Sequence, residues 1–232
     1  MNWLRRLWGG RPALSDAQRA RLQACIDTPR DDTATPLADA RWVVVDVESS
    51  GLDVFSDRLI AIGAVRVQAQ ALPLAGSFYH VLRQAAPSSV ENILVHGIGG
   101  TEQTAGLEPA EALLAFVEYA GGAPLVAYHA DFDRAMINRA TRAYLGVTLR
   151  NRWLDLAQIA PALFPEHAKN RRALDDWTTP LGIVNLNRHN AVADASATAQ
   201  LLLVLLDRAR AQGLQNVNDL LSLERGQRWL GR

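Results

Sequence analysis

The chain is 232 residues long, 49% hydrophobic and 21% charged, with 24 basic side chains against 24 acidic ones. Such a composition supports one core with appendages, or at most two small ones, and excludes wholesale disorder and collagen-like or low-complexity architectures. Zero net charge argues against a protein that coats duplex nucleic acid, so any contact with nucleic acid is expected locally, at an end or on a single strand. No apolar run reaches the roughly 18 residues needed to span a membrane. The single cysteine, Cys25, excludes an intramolecular disulfide and a cysteine zinc cluster, and the basic N-terminus lacks the apolar stretch of a secretory signal. A cytoplasmic location without membrane contact is expected.

Residues 1–40 read as an N-terminal helical arm and linker. Trp3, Leu4, Leu7 and Trp8 punctuate a basic segment and suit a flap packed on the domain, with a membrane-surface or partner contact as the alternative. Ser15 and Gln18 have capping-box spacing for a short helix through Asp27, and the Pro- and Asp-rich stretch from Thr28 to Ala40 reads as a linker. From Arg41 the pattern is that of a folded domain. Trp42 to Val47 is a nearly continuous apolar run, as in a strand covered on both faces. Arg58 to Val67 and Ser77 to Arg83 follow as strands, and short joints predict an antiparallel meander.

The period then changes. A helix is predicted from Pro109 to the stop at Gly121-Gly122, a short strand at Leu125 to Tyr128, and a helix from Asp131 to Leu145 closed by Gly146. A fifth strand lies near Trp153 to Leu156, with helical segments at Ala157 to Leu163 and Ala173 to Leu181. The longest helix runs from Ala191 to Gln212, and residues 213–232 form a tail expected to be helical. The sum is one α/β domain with a mixed five-stranded sheet flanked by helices.

Four acids stand out against this scaffold. Asp46 and Glu48 lie two apart at the end of the first strand, so both face the same side. Taken alone, such a pair reads as solvated strand-end acids. Ser49-Ser50-Gly51-Leu52 follows as a tight turn, in which Gly51 permits close approach and Leu52 is an exposed apolar residue beside the acids. Asp133 falls in the first turn of the helix after the fourth strand, where dipole placement alone would explain it. Asp194 falls early in the long apolar helix, with His189 just before it. No lysine cluster matches the four acids, so divalent metal is the natural counter-charge. Mg²⁺ or Mn²⁺, as a pair of ions, would suit oxygen ligands and in-line phosphoryl displacement. A neutral imidazole at His189 could take the proton of an attacking water.

These residues resemble the motifs of the DEDDh 3′–5′ exonucleases, a family that includes the proofreading epsilon subunits of bacterial DNA polymerase III. Asp46-Val-Glu48-Ser-Ser-Gly51-Leu52 is similar to the first motif, Phe132-Asp133 to the second, and His189-x-Ala-x-x-Asp194-Ala to the third. Asp57 to Val65 and Val95-His-Gly-Ile98 resemble intervening landmarks, and the likeness spans about Arg41 to Ala211. The resemblance implies a ribonuclease H-like fold over 41–212. It also implies two metals held by Asp46, Glu48, Asp133 and Asp194, with His189 as general base. Ser49, Gly51 and Leu52 would bind the 3′-terminal nucleotide, with Leu52 wedged on its base. Asn190 stands where the tyrosine subtype would need Tyr. Ser49-Ser50 replaces the usual Thr-Thr, and His129 stands where Asn is usual, as a further substrate-binding candidate. Asp131 is read as an exposed extra acid.

The implied activity is release of nucleoside 5′-monophosphates from 3′ ends of single-stranded DNA. The alternatives are RNA 3′-end trimming of the oligoribonuclease kind and a non-catalytic polymerase-associated subunit. Asp219-Leu220-Leu221 faintly suggests a sliding-clamp peptide but reads better as an amphipathic helix. The tail is short for a polymerase-binding extension, so a stand-alone nuclease is expected. Lys169 with Asn170-Arg171-Arg172 forms a basic loop near the third motif, suited to a phosphate or simply to solvent. His80, His96 and His167 have no ligand spacing and are expected to be structural or exposed.

Overall fold

The computed structural model describes residues 14–73, 76–169, 173–185 and 187–230. The apolar N-terminal residues Trp3 to Trp8 and the basic run Asn170 to Arg172 lie outside the described residues. In chain order the elements are α1 (Asp16–Asp27), β1 (Arg41–Ser49), β2 (Leu59–Gln68), β3 (Phe78–Val81), α2 (Val90–His96), α3 (Gly100–Ala105), α4 (Pro109–Ala120) and β4 (Leu125–Ala127). They continue with α5 (Ala130–Leu145), β5 (Trp153–Asp155), α6 (Leu156–Leu163), α7 (Leu174–Thr178), α8 (Ala191–Ala211) and α9 (Val217–Leu230). The strands form one mixed sheet in the order β3-β2-β1-β4-β5. The β1–β2 and β2–β3 pairs are antiparallel, and β4 pairs parallel with both β1 and β5. This is the ribonuclease H-like α/β arrangement that the sequence motifs imply.

The apolar run of β1 explains its central position. Trp42 and Val44 pack into the core under α8, among Leu201, Leu202 and Leu205. Val43, Val45 and Val47 face the opposite layer of α4 and α5, among Leu113, Phe116, Met136 and Ile137. A strand covered on both faces needs apolar residues at every position. Asp46 and Glu48 therefore continue the α8 face at the point where core packing gives way to the sheet's end. Parallel pairing of β1 and β4 places their carboxyl ends side by side, where crevices of α/β sheets open.

Two glycines permit close approach. Gly63 on β2 lies opposite Asp46 on β1, and a Cβ at that position would come within 2.3 Å of the Ala191 carbonyl carbon. The bare backbone lets the start of α8 sit directly on the sheet, delivering Asp194 beside β1. A Cβ on Gly51 would similarly collide with the Asp57 carboxylate, 2.4 Å away.

Both flanking segments pack onto this body. The capping box of α1 forms as its sequence predicts, with the Gln18 N–H donating to Ser15 Oγ at 3.2 Å and Ser15 N–H to Gln18 Oε1 at 3.0 Å. Arg21 pairs with Glu111 and Glu118 of α4 at 2.6 and 2.7 Å. The stretch read as a linker carries Leu37 into the core at 1% exposure, and Pro36 bridges Asn216. In α9 the Leu220 and Leu221 side chains are buried against the α6–α8 layer, so the faint clamp-like residues serve as core. Among the described residues no helix is long and apolar enough to cross a membrane.

Candidate active site

Carboxylate oxygens of Asp46, Glu48 and Asp194 all lie within 4.8 Å of one another. Glu48 and Asp194 are buried and Asp46 is half-buried. Asp133, in the first turn of α5, is buried at the same end of the sheet. It lies outside the tight trio but near enough to act on Asp46 electrostatically. Burial, then the charges of Asp133, Glu48 and Asp194, holds the Asp46 carboxyl well above the usual carboxylate range. Burial chiefly, with Asp194 and Asp133 adding to it, pushes Glu48 up to about 8. Burial also pushes Asp133 up to about 8, partly offset by backbone N–H groups of Asp133 and Val47.

Such a cluster is costly without a cation. One oxygen, Glu48 Oε1, is buried with no hydrogen-bond partner. An orphaned carboxylate oxygen on a member of this three-acid cluster fits a hard divalent cation, and an all-oxygen donor set suits Mg²⁺ or Mn²⁺.

Asp194 is held from its own loop. Its Oδ1 accepts from Asn185 Nδ2 and Arg188 Nη1, and its Oδ2 accepts from the His189 N–H at 2.9 Å. Arg188 also reaches Asp175 at 3.1 Å. His189 takes a left-handed backbone conformation, φ 61°, and its side chain is exposed. Arg188, a basic side chain that contacts the cluster, belongs to none of the sequence motifs and is not a lysine. Its adjacency to His189 was the available signal.

The turn after β1 is braced internally. A register shift at Glu48/Ser49 ends the strand. Ser49 Oγ donates to the Gly51 carbonyl at 2.6 Å, and Ser50 Oγ donates to Asp57 Oδ1 at 2.9 Å. Asp57 Oδ2 accepts from the Asp53 N–H at 2.8 Å. Leu52 is 87% exposed and Phe55 89%, both at this turn. Asn92 on α2 donates to the Ser49 carbonyl at 2.9 Å and meets His96 Nε2 at 2.8 Å through its Oδ1. The Ile98 N–H donates to His96 Nδ1 at 2.9 Å, so the proton sits on Nε2, which donates to Asn92. His96 is thus a buried structural residue behind the turn, and Asn92 is a turn-positioning residue that the sequence alone did not reveal.

His129 caps α5, also in left-handed conformation (φ 63°, ψ 48°), with its side chain exposed. Its N–H donates to Asp155 Oδ1 at 2.9 Å, and its ring lies edge-on to Tyr128. Asp131 is exposed, as its sequence position suggests, and pairs with Arg228 at 2.6 Å.

The exonuclease family model described as RNase_T matches residues 43–202. A DNA polymerase III PolC-type protein from Caldanaerobacter subterraneus subsp. tengcongensis is 30% identical over 185 residues, covering 80% of this chain and 13% of that protein. A DNA polymerase III subunit epsilon-like protein from Rhodobacter capsulatus is 33% identical over 194 residues, covering 81% of this chain and 27% of that one. The chain thus spans a small part of these relatives' lengths. Among solved structures, E. coli exonuclease I in complex with a dT13 oligonucleotide superposes with a TM-score of 0.64 at 18% identity, over 75% of this chain and 42% of that one. Exonuclease X in complex with 5′ overhanging duplex DNA superposes with a TM-score of 0.61 at 18% identity, over 79% of this chain and 99% of that one.

Proposed function

The chain belongs to the exonuclease family, and we propose that it hydrolyses phosphodiester bonds at 3′ ends of single-stranded DNA, releasing nucleoside 5′-monophosphates. The observation that carries this reading is the trio of half-buried Asp46 and buried Glu48 and Asp194, with the unpartnered Glu48 Oε1. With Asp133 these residues would hold two divalent ions, which supply charge stabilisation to the attacking and leaving oxygens of an in-line displacement.

The chain's own groups do the rest. His189, exposed at the edge of the acid cluster and tied to Asp194 through its backbone, takes the proton of the attacking water. The braced turn from Ser49 to Leu52 receives the terminal nucleotide. There the exposed Leu52 side chain offers an apolar surface to a base, and the Ser49 and Ser50 hydroxyls hold the turn's shape. His129, exposed at the N-terminus of α5, is the further substrate-binding candidate, where the positive end of the helix favours a phosphate. The preference for DNA is supported by polymerase relatives and by fold neighbours solved with DNA.

Digestion of matched 3′-terminated DNA and RNA single strands, with Mg²⁺, Mn²⁺ or chelator, tests the reading alongside Glu48→Ala. Metal-dependent shortening of DNA from the 3′ end, absent in the variant, is expected. Preferential shortening of RNA would replace the substrate. Two intact strands in both metals would remove the catalytic reading altogether.

A further inference from the structure

Arg228, on α9, lies 26 residues beyond the family-matched segment. Its guanidinium nonetheless reaches three carboxylates. Nε donates to Glu224 Oε1 at 2.8 Å, Nη1 to Asp131 Oδ2 at 2.6 Å, and Nη2 lies 3.4 Å from Asp155 Oδ2. Glu224 and Asp155 are buried, whereas Asp131 is exposed. A planar fork with fixed donor directions can serve three acceptors at once, which an ammonium on a flexible stem cannot do in the same geometry.

The three acids belong to different elements. Asp155 ends β5 and caps α6, where its Oδ1 accepts from the Ala157 N–H at 3.0 Å. The same Oδ1 accepts the His129 N–H at 2.9 Å. His129 is a non-glycine residue in left-handed conformation, a state that surrounding contacts must impose. From that residue α5 starts, and Asp133 follows within its first turn. Asp131, in the same turn, takes a second arm of the guanidinium. Arg228 therefore grips the first turn of α5 twice, once directly and once through Asp155.

We propose that Arg228 is a positioning residue: from the C-terminal helix it fixes the start of α5, and so the Asp133 carboxylate, against the acids of β1 and α8. This rests on the metal-dependent nuclease reading. It assigns α9 a part in building the site, although the helix contributes no group to it.

The test is Mn²⁺ binding to the full-length, metal-free protein by calorimetry, with far-UV circular dichroism and thermal melting on the same samples. Arg228→Met keeps the stem and removes the fork, and Arg228→Lys keeps the charge. Leu220→Ala, in the buried face of the same helix, weakens α9 packing without touching the acids. Arg228→Met is expected to weaken Mn²⁺ binding about tenfold, the low end for residues that orient metal ligands. Arg228→Lys should recover part of that loss. Leu220→Ala should lower the melting temperature with binding unchanged. If Arg228→Met fails to fold, Arg228→Lys carries the comparison, with an expected loss above twofold. Wild-type affinity in the Arg228 variants, or an equal loss in Leu220→Ala, would overturn the positioning role while leaving the nuclease reading intact. Absence of Mn²⁺ binding in the wild type would instead overturn the nuclease reading itself.

Discussion

Glu48 is 9% exposed, carries an unpartnered carboxylate oxygen and titrates near 8, so a residue that would be routine at a solvated strand end is costly here. His189 differs in kind. Its side chain is exposed, and only its backbone N–H engages Asp194. Removing the imidazole should therefore leave the acid cluster and its metal affinity in place. His189→Asn is expected to reduce kcat by about 10²–10⁴-fold, the usual range for a positioned general base, with Mn²⁺ affinity within twofold of wild type. Single-turnover digestion and calorimetry on the same preparation check the pair of expectations. A comparable fall in metal affinity would mean that His189 acts on the ligand Asp194 rather than on water.

At the scale of elements, the long ones were readable from sequence because their burial is continuous. β1 and β2 carry apolar runs that only doubly covered strands can bury, and α8 carries the apolar stretch Leu201 to Leu206. The helices α2 and α3 were not readable. They span seven and six residues, and Val90, Leu94 and Val95 of α2 are exposed, so no amphipathic stripe marks them. Leu37 entered the core from a stretch whose Pro and Asp content signals a linker, because one well-placed side chain leaves no period to detect. The four acids and His189 were legible because local motifs position them. Asn92, Asp155 and Arg228 brace the site through partners on other elements, and no spacing rule records such contacts; Arg188 reaches Asp194 only six residues on, but no motif marks it. Gly63 was visible only as part of a strand, although an interior strand glycine signals close backbone approach. Gly63→Ala should lift the start of α8 from β2, costing about 1–3 kcal/mol through overpacking and weakening metal binding as Asp194 withdraws from Asp46 and Glu48. Denaturant unfolding combined with Mn²⁺ titration reads both effects. Unchanged stability with unchanged affinity would show that the helix start does not set the acid spacing.

For the whole molecule, both ends of the described chain fold back over the sheet, α1 on α4 and α9 on α6, and the acid cluster sits within an otherwise well-packed body. Its protonation is then coupled to global stability. Burial pushes Glu48 and Asp133 up to about 8 in the folded protein, against about 4 in an unfolded chain. Between about pH 4 and 8 the native state binds more protons than the unfolded state, so metal-free stability must fall as pH rises through that window. On the proposed function divalent metal should reverse the relation: an ion held by the ionised carboxylates of the folded arrangement would add stability that grows as protons leave. In chelator the melting temperature is expected to drop by several degrees from pH 5 to pH 8, since 1 kcal/mol moves the midpoint of a chain this size by about 2–4 °C. In Mn²⁺ the gain over chelator should be larger at pH 8 than at pH 5. Parallel thermal melts across the window measure both trends. A chelator-bound midpoint that rises from pH 5 to 8 would mean that these carboxylates are already ionised without a cation, and that charge repulsion between them is relieved by something other than metal.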